Sequence, residues 1–379
     1  MKLEVFDKYT RIRVGMIKIY DYVTYSDGLR DIGTFQIDIP SSEESLDYLE
    51  EGNYIWFEDN VVGIIEGYQD SEENDAQVTL YGHLINNILT YRSNLSAYKK
   101  YDKIGNVARD MFDTLFMNPS DEKRQIDFLD LSDDVSDLTK FPTKATYQKT
   151  GDTFFDYIAK IFEPKGLGFE LLPVFSYVES GAIISEMDFR VITPRDKTFG
   201  NSEGYDPVVF SFDLGNLLKL EYEEDARDYK NFALVASEGE GEERKTLEVG
   251  DTVSTGIDRV ELYVDARDIQ SDADPEHPLT EEELFDLMRE RGESKLSEHI
   301  KIVTFDASLN TDETQFNYGI DFYKGDYVSV IDKRQNKKVD IQITGITKSI
   351  SNGVEHLDLS FGVTKIDILN KKERRLYSE

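Results

Sequence analysis

The sequence predicts a β-rich α+β protein in which two similar β-modules flank a small α/β insert and a helix is inserted into the second module. Three observations carry this. A Gly–aromatic strand pattern recurs at the two ends of the chain. Apolar residues alternate along most of the length and change to a helical period only in the middle and once late. Tyr and Phe number 22 each against a single Trp, and flat aromatic side chains suit a pleated, half-buried surface; a sugar-binding face is their other common use.

The first copy of the pattern reads Gly52-Asn53-Tyr54-Ile55-Trp56-Phe57, then Ile65-Glu66-Gly67-Tyr68, then Val78-Thr79-Leu80-Tyr81-Gly82. The second reads Gly325-Asp326-Tyr327-Val328-Ser329-Val330, then Ile343-Thr344-Gly345-Ile346, then Leu359-Ser360-Phe361-Gly362. Each is a Gly-x-Tyr turn, a strand, a Gly-punctuated second strand, a hairpin and a third strand closing on aromatic-Gly. The copies differ in loop and hairpin length, where insertions are tolerated. Matching strand positions are expected for Tyr54 and Tyr327, and matching turns or bends at Gly67 and Gly345. Two similar β-modules in one subunit point to an assembly part rather than an enzyme.

Residues 1–94 form the first module. Phe35 to Pro40 alternates apolar and polar residues as a half-buried strand does, and Pro40 ends it. Ser41 to Leu46 opens like a helix, with hydroxyl caps and early acids. Asp70 to Asp75 reads as an acidic hairpin tip, and His83 to Leu89 as a short helix. Residues 95–206 form the insert. Apolar residues at 104, 107, 108, 111, 112 and 115 make an amphipathic helix. Residues 121–140 read as loop, and Thr153 to Phe162 as a second helix ending before Pro164 and Gly166. Strands at Gly168–Leu172 and Met187–Val191 follow, joined by an extended loop. Residues 207–369 form the second module, with strands at Val208–Phe212, Leu217–Glu223, Asn231–Ser237, Arg244–Val249, Glu261–Asp265 and Lys301–Phe305. Thr280 with Glu283 is a capping box that opens a helix over about 280–299, with Leu284, Leu287, Met288 and Leu296 inward. Residues 370–379 are a charged tail.

A length of 379 residues allows two or three domains. There are 43 basic and 76 acidic residues, net −33. That balance opposes binding to a nucleic-acid backbone or an anionic membrane surface. It suits solubility, or a surface past which DNA must slide. No cysteine is present, which removes disulfides, thiolate metal sites and cysteine nucleophiles. The charged N-terminus lacks the apolar run of a signal peptide, and no stretch approaches the ~20 apolar residues of a membrane span.

Catalytic motifs are absent. His83, His277, His299 and His356 are scattered without the spacing of a helical metal pair, and there is no nucleophile elbow, phosphate loop or dinucleotide fingerprint. Carboxylates are too numerous for a glycosidase pair to be located. Asp272 to His277 offers oxygens to a hard cation but lacks the glycine and spacing of an EF-hand loop. Glu238 to Glu243 could hold calcium, while its alternate glycines fit a hairpin tip. No cofactor is expected and no metal site is assigned.

The stretch from Arg227 to Arg244, containing Asp228-Tyr229-Lys230-Asn231-Phe232 and Ser237-Glu238-Gly239-Glu240-Gly241-Glu242, resembles the tail-hub family of long non-contractile-tailed phages and prophages of Gram-positive bacteria. Gly256 to Asp268, Arg291-Gly292 and Gly319 to Tyr327 extend the likeness, and Phe35–Pro40 with Gly52 and Gly63 is similar to the opening of such hubs. The residues that carry the signature are Arg227, Tyr229, Asn231, Glu238, Gly239, Gly241, Arg244, Asp265, Arg267, Gly325 and Asp326. Ser237 stands where the family run would have glycine.

The resemblance implies two β-barrel hub domains per subunit around a smaller α/β domain. It also implies a homotrimer whose six barrels meet a six-fold tail tube, and a location at the virion tail tip after synthesis in the host cytoplasm. Implied partners are distal-tail and tube proteins, the tape-measure protein, and receptor-binding or lytic tip proteins. The sequence ends soon after the second module, so lytic or receptor activity is expected of a partner. DNA would pass through without being bound, and no membrane insertion is implied. The alternatives are a cell-wall hydrolase using Asp and Glu carboxylates and a calcium-stabilised carbohydrate-binding module.

Overall fold

The computed structural model describes residues 1–40, 48–57, 60–71, 77–179, 181–239, 241–271, 278–299, 302–309, 315–332 and 337–362. The first module contributes β1 (Leu3–Phe6), β2 (Arg13–Ile17), β3 (Tyr22–Gly28), β4 (Thr34–Pro40), β5 (Tyr54–Phe57), β6 (Val61–Ser71) and β7 (Gln77–Leu84), then a 3-10 turn at Ile85–Thr90. The alternation expected of β4 is present: Phe35, Ile37 and Ile39 are buried and Gln36 and Asp38 are not, because successive side chains leave opposite faces of a strand. The expected helix start at Ser41–Leu46 lies outside the described residues, as does most of the acidic tip at Asp70–Asp75.

The insert contains β8 (Tyr98–Lys103), α1 (Ile104–Phe112), β9 (Leu129–Leu131), α2 (Ser136–Lys140), β10 (Lys144–Lys149), α3 (Phe154–Phe162), β11 (Gly168–Val178) and β12 (Gly181–Ile192). Two expectations change here. The acidic stretch 121–140, read as loop, supplies β9, parallel to β12, and α2. Its anchor is Asp137, 1% exposed and paired with Arg109 at 2.6 Å, so an acid that looks solvated is a buried counter-ion. The strands around Gly168 and Met187 are one long hairpin rather than two strands joined by an extended loop. Its extension is held by Phe175, whose ring meets Phe6 at 5.8 Å and Trp56 at 5.1 Å.

The chain then forms β13 (Val209–Ser211), β14 (Leu217–Asp225), β15 (Phe232–Ala236), β16 (Thr246–Gly250), β17 (Glu261–Asp265), α4 (Glu281–Ser297), β18 (Ile302–Leu309), β19 (Tyr327–Asp332), β20 (Lys337–Ser351) and β21 (Val354–Gly362). The sequence reading placed all these strands in the second module, with the helix alone inserted. Instead β15–β17 form their own three-stranded sheet in the order β16-β15-β17. α4 covers it through Leu284, Leu287 and Met288, and the capping box at Thr280 and Glu283 is present.

One sheet joins both modules, in the order β14-β18-β21-β20-β3-β4-β7-β6-β5-β1-β2, with β19 on β20 and β13 on β19. The protein is therefore β-rich as expected, but neither module closes into a barrel among the described residues. The reason is the length of β20. Its 15 residues serve β19 with their first part, and β21 and β3 with the rest, which carries the sheet across the module boundary. One apolar core spans the two modules, from Leu3 and Phe57 to Phe210 and Phe361. A second fuses the insert to the first module by packing Phe6, Tyr54, Val62 and Ile64 with Phe112, Phe154 and Phe189. Phe112 and Phe189 stack at 4.7 Å in its centre.

Candidate assembly interface

The repeat seen in the sequence is a repeat of hydrogen bonding. Gly52 and Gly325 both take left-handed backbone angles, φ 89° and 98°, which favour glycine. Gly52 N–H donates to the Ile65 carbonyl at 2.7 Å, and Ile65 N–H to that of Asn53 at 2.9 Å. Gly325 N–H donates to the Ile343 carbonyl at 2.7 Å, and Ile343 N–H to that of Asp326 at 2.9 Å. A β-bulge follows in each copy, between Ile65 and Gly67 and between Ile343 and Gly345. Tyr54 and Tyr327 each begin the strand after the turn, so both position expectations hold. The third strand is offset by one from the sequence pattern: Ile65 faces Gly82 while Ile343 faces Phe361. Backbone pairing, not side-chain type, sets that equivalence.

The modules thus match strand for strand, β5-β6-β7-β4-β3 with β19-β20-β21-β18-β14. Tyr25 opposite Phe35 corresponds to Tyr222 opposite Phe305. The outer edge of β3 pairs with Gly345–Ser351 of β20, with Thr347 opposite Ser26. Each partner in this seam has a counterpart that lacks one. No strand among the described residues lines the outer edge of β14, nor the edge of β6 beyond Ile64 on the β5 side. Side chains beside these edges include Tyr68 and Leu218, 64% and 59% exposed. An open strand edge is a template for another strand.

A buried charge cluster fixes the modules and insert at the inner seam. Lys324, 1% exposed, donates to Asp27 of β3 at 2.5 and 2.6 Å and contacts Glu170 of β11 at 3.0 Å. Arg190 of β12 pairs with Glu170, and Tyr323 donates its hydroxyl to the same carboxylate at 3.0 Å. Burial pushes the Asp27 carboxyl up. Burial acts on Glu170 in the same sense, but Lys324 and Arg190 together outweigh it and hold that carboxyl below its usual range. Tyr323 and Lys324 lie in the Gly319–Tyr327 stretch that carries the family likeness, but nothing in the sequence singled them out as a site, and Asp27, Glu170 and Arg190 fall in no motif.

The signature residues fall in two places. Gly325 and Asp326 sit at this seam, Asp326 clamped by Arg195 at 2.7 and 2.6 Å. The rest belong to the β15–β17 unit or its base. Arg227 is exposed there, and Tyr229 N–H closes a turn onto Ala226. Asn231 ties two strands, donating to the Asp258 carbonyl at 2.7 Å and accepting from Val260 N–H at 2.8 Å. Gly239 and Gly241 take positive φ, and a Cβ on Gly239 would meet the Glu243 carbonyl at 2.5 Å. Arg244 reaches the Gly239 carbonyl and the Tyr263 hydroxyl. Asp265 and Arg267 form an exposed pair at 2.6 Å.

Glu238 accepts from Ser271 N–H at 2.7 Å and pairs with Lys245 at 2.8 Å. The Lys245 and Ser271 hydrogen bonds hold its carboxyl down at about 2, against an ordinary 4.5. A depressed carboxyl stabilises the fold above its unfolded value, and the contribution disappears as pH falls through the folded one. The protection of the Ser271 amide against exchange, relative to an unstructured amide at the same pH, is therefore expected to fall between pH 4.5 and about 2, with Glu238→Gln abolishing that fall.

Among the described residues no group of three or more His, Cys, Asp or Glu is placed to hold a metal ion, and no helix is long and apolar enough to cross a membrane. The cation candidate at Asp272–His277 lies outside the described residues, as does Glu240 of the acidic run.

No curated protein matches the sequence. Among solved structures, the chain is similar to the 43 kDa tail protein of prophage MuSo2 from Shewanella oneidensis, with 11% identity over 95% of this chain and 98% of that one and a TM-score of 0.58. It is similar to prophage tail protein gp18 from Listeria monocytogenes, with 10% identity over the whole of both chains and a TM-score of 0.57. A tail protein from Neisseria meningitidis gives 11% identity over 96% of each chain and a TM-score of 0.53. At such identities these likenesses establish a shared fold. Residues 2–363 match one family along nearly the whole chain, and the protein belongs to the Siphovirus ReqiPepy6 Gp37-like protein family.

Proposed function

We propose that this chain is a non-enzymatic structural hub at the tip of a phage tail or tail-like particle. Its two modules act as barrel-type hub domains that alternate around a ring of three copies. The carrying observation is the seam between β3 and β20, whose counterparts on β14 and β6 are open at matching registers among the described residues. Pairing β14 of one copy with β6 of the next would repeat the internal seam between subunits, and three copies would then present six similar modules to a six-fold tube. By the internal register, Gln69 of one copy faces Glu223 of the next, as Thr347 faces Ser26 within the chain. The net charge of −33 suits a channel that DNA traverses without adhering. Distal-tail, tube and tape-measure proteins are the partners this role requires, with receptor-binding or lytic work left to other tip proteins.

The cysteine-free sequence makes a clean test. Directly opposed strand residues lie within the ~4.4–6.8 Å Cα separation that a disulfide spans. Gln69→Cys with Glu223→Cys is expected to oxidise to a closed three-chain species that grows no further on a non-reducing gel. The control pair, Ser26→Cys with Thr347→Cys, should cross-link within one chain. A double variant that stays monomeric while the control oxidises sinks the ring.

A further inference from the structure

Residues 226–299, between β14 and β18, are attached to the rest of the protein in a way unlike any other part. The neck is a pair of adjacent strands, closed where Asp225 pairs with Ile302 and where Lys230 N–H donates to the His299 carbonyl at 2.7 Å. Above the neck the unit has its own apolar core, made of Ala233, Val235, Val249, Val264, Leu284, Met288 and their neighbours, all from within the segment. The insert shares a core with the first module; among the described residues this unit shares none.

What holds it is polar. α4 and its C-cap meet lysines of the insert, with Glu293 on Lys165 at 3.0 Å, Glu283 on Lys99 at 3.7 Å and Glu298 on Lys160 at 3.9 Å, and the Tyr157 hydroxyl of α3 donates to Glu290 at 3.5 Å. Between the two faces lies a cavity of about 650 Å³, lined by Lys149, Tyr157, Leu287, Glu290 and Ser294 among others. The Ser294 hydroxyl is buried without a hydrogen-bond partner, and burial pushes the Glu290 carboxyl up to about 7. Partly exposed ion pairs of this kind contribute at most about 1 kcal/mol each and are screened beyond ~10 Å at 0.1 M salt. Polar interfaces between units with separate cores permit relative motion. In a chain of net charge −33, α4 covers a face that carries Lys99, Lys160 and Lys165.

We propose that residues 226–299 form a hinged arm, latched onto the lysine face of the insert by the acids of α4 and released when an acidic partner surface competes for those lysines. The neck is the hinge, and the cavity marks where the two faces meet without packing. The latch is independent of any ring, since every contact in it lies within one chain.

Spin labels at Tyr177→Cys on the insert and Val253→Cys on the arm, 87% and 85% exposed, would read the distance in the full chain diluted with unlabelled protein. One narrow distance is expected at low salt. A second, longer population should grow toward about 0.5 M KCl as screening shortens below the Debye length at 0.1 M. Lys160→Glu and Lys165→Glu together should open the arm at low salt. Adding Glu293→Lys and Glu298→Lys, which leaves the Thr280–Glu283 cap intact, should close it again. Labels at Tyr9→Cys and Tyr177→Cys, on parts joined by a common core, should stay narrow throughout. An arm distance unchanged by salt overturns the proposal, as does failure of the swapped charges to restore it.

Discussion

Lys324→Met is expected to cost about 3–5 kcal/mol of folding stability, the usual result of removing one partner from a buried ion pair. The ammonium lies between Asp27 and Glu170, both nearly inaccessible, and methionine fills its volume without supplying a charge. Two carboxylates from different parts of the chain would then face each other with only Arg190 to offset them. Their folded-state values would both rise, so protonation would relieve the variant. A carboxyl raised on folding contributes stability in acid and loses it as pH rises through the folded value. The gap between wild type and variant should therefore narrow below about pH 5. Urea unfolding at neutral and mildly acidic pH reads both effects. Adding Asp27→Asn should recover part of the loss, because Glu170 keeps Arg190. A single variant within 1 kcal/mol of wild type would show that the cluster does not hold the modules together.

Gly82→Ala is expected to cost about 3 kcal/mol, the upper part of the range for forcing atoms into a packed site. An added Cβ would lie 1.9 Å from the Ile64 carbonyl oxygen and 3.0 Å from the Phe35 ring. Neither can retreat easily: the carbonyl belongs to β6 just before its bulge, and Phe35 is buried with its ring 5.5 Å from that of Phe57. Gly345→Ala is the contrast. It sits at the matched bulge, but its nearest backbone neighbour is the Asp27 carbonyl at 3.6 Å, an ordinary contact. Thermal melts should show a large loss for the first and a change within about 0.5 kcal/mol for the second. Equal effects would mean that bulge strain, rather than close approach, makes glycine necessary.

Much of the local architecture was legible beforehand. The β4 strand, α1, α3 and the capped start of α4 follow from apolar period and end chemistry, which neighbouring residues along the chain supply. The Gly-x-Tyr echo was legible too, since a positive-φ glycine and a strand-starting tyrosine recur wherever the same turn is built. The one-residue offset at Gly82 and Phe361 was not, because a bulge shifts which residues face each other without altering the pattern of either strand. Asp137 and β9 were hidden for a related reason. An acidic stretch reads as solvated until Arg109, on another element, is brought to it. None of the signature residues in the β15–β17 unit announced that this unit forms a sheet of its own.

Local pattern alone therefore settled that the chain is β-rich, acidic and without catalytic motifs; its echo suggested duplication, and its signature residues pointed to a tail family. Only three-dimensional pairing decided that the modules share one sheet, that β3 and β20 make the seam while β14 and β6 keep open edges among the described residues, and that Lys324 joins three parts of the chain. The difference is physical. Turns, periods and caps depend on residues a few positions apart, whereas strand order and buried charge depend on which distant segments meet. That choice is made by the free energy of the whole packed molecule rather than by any stretch of it.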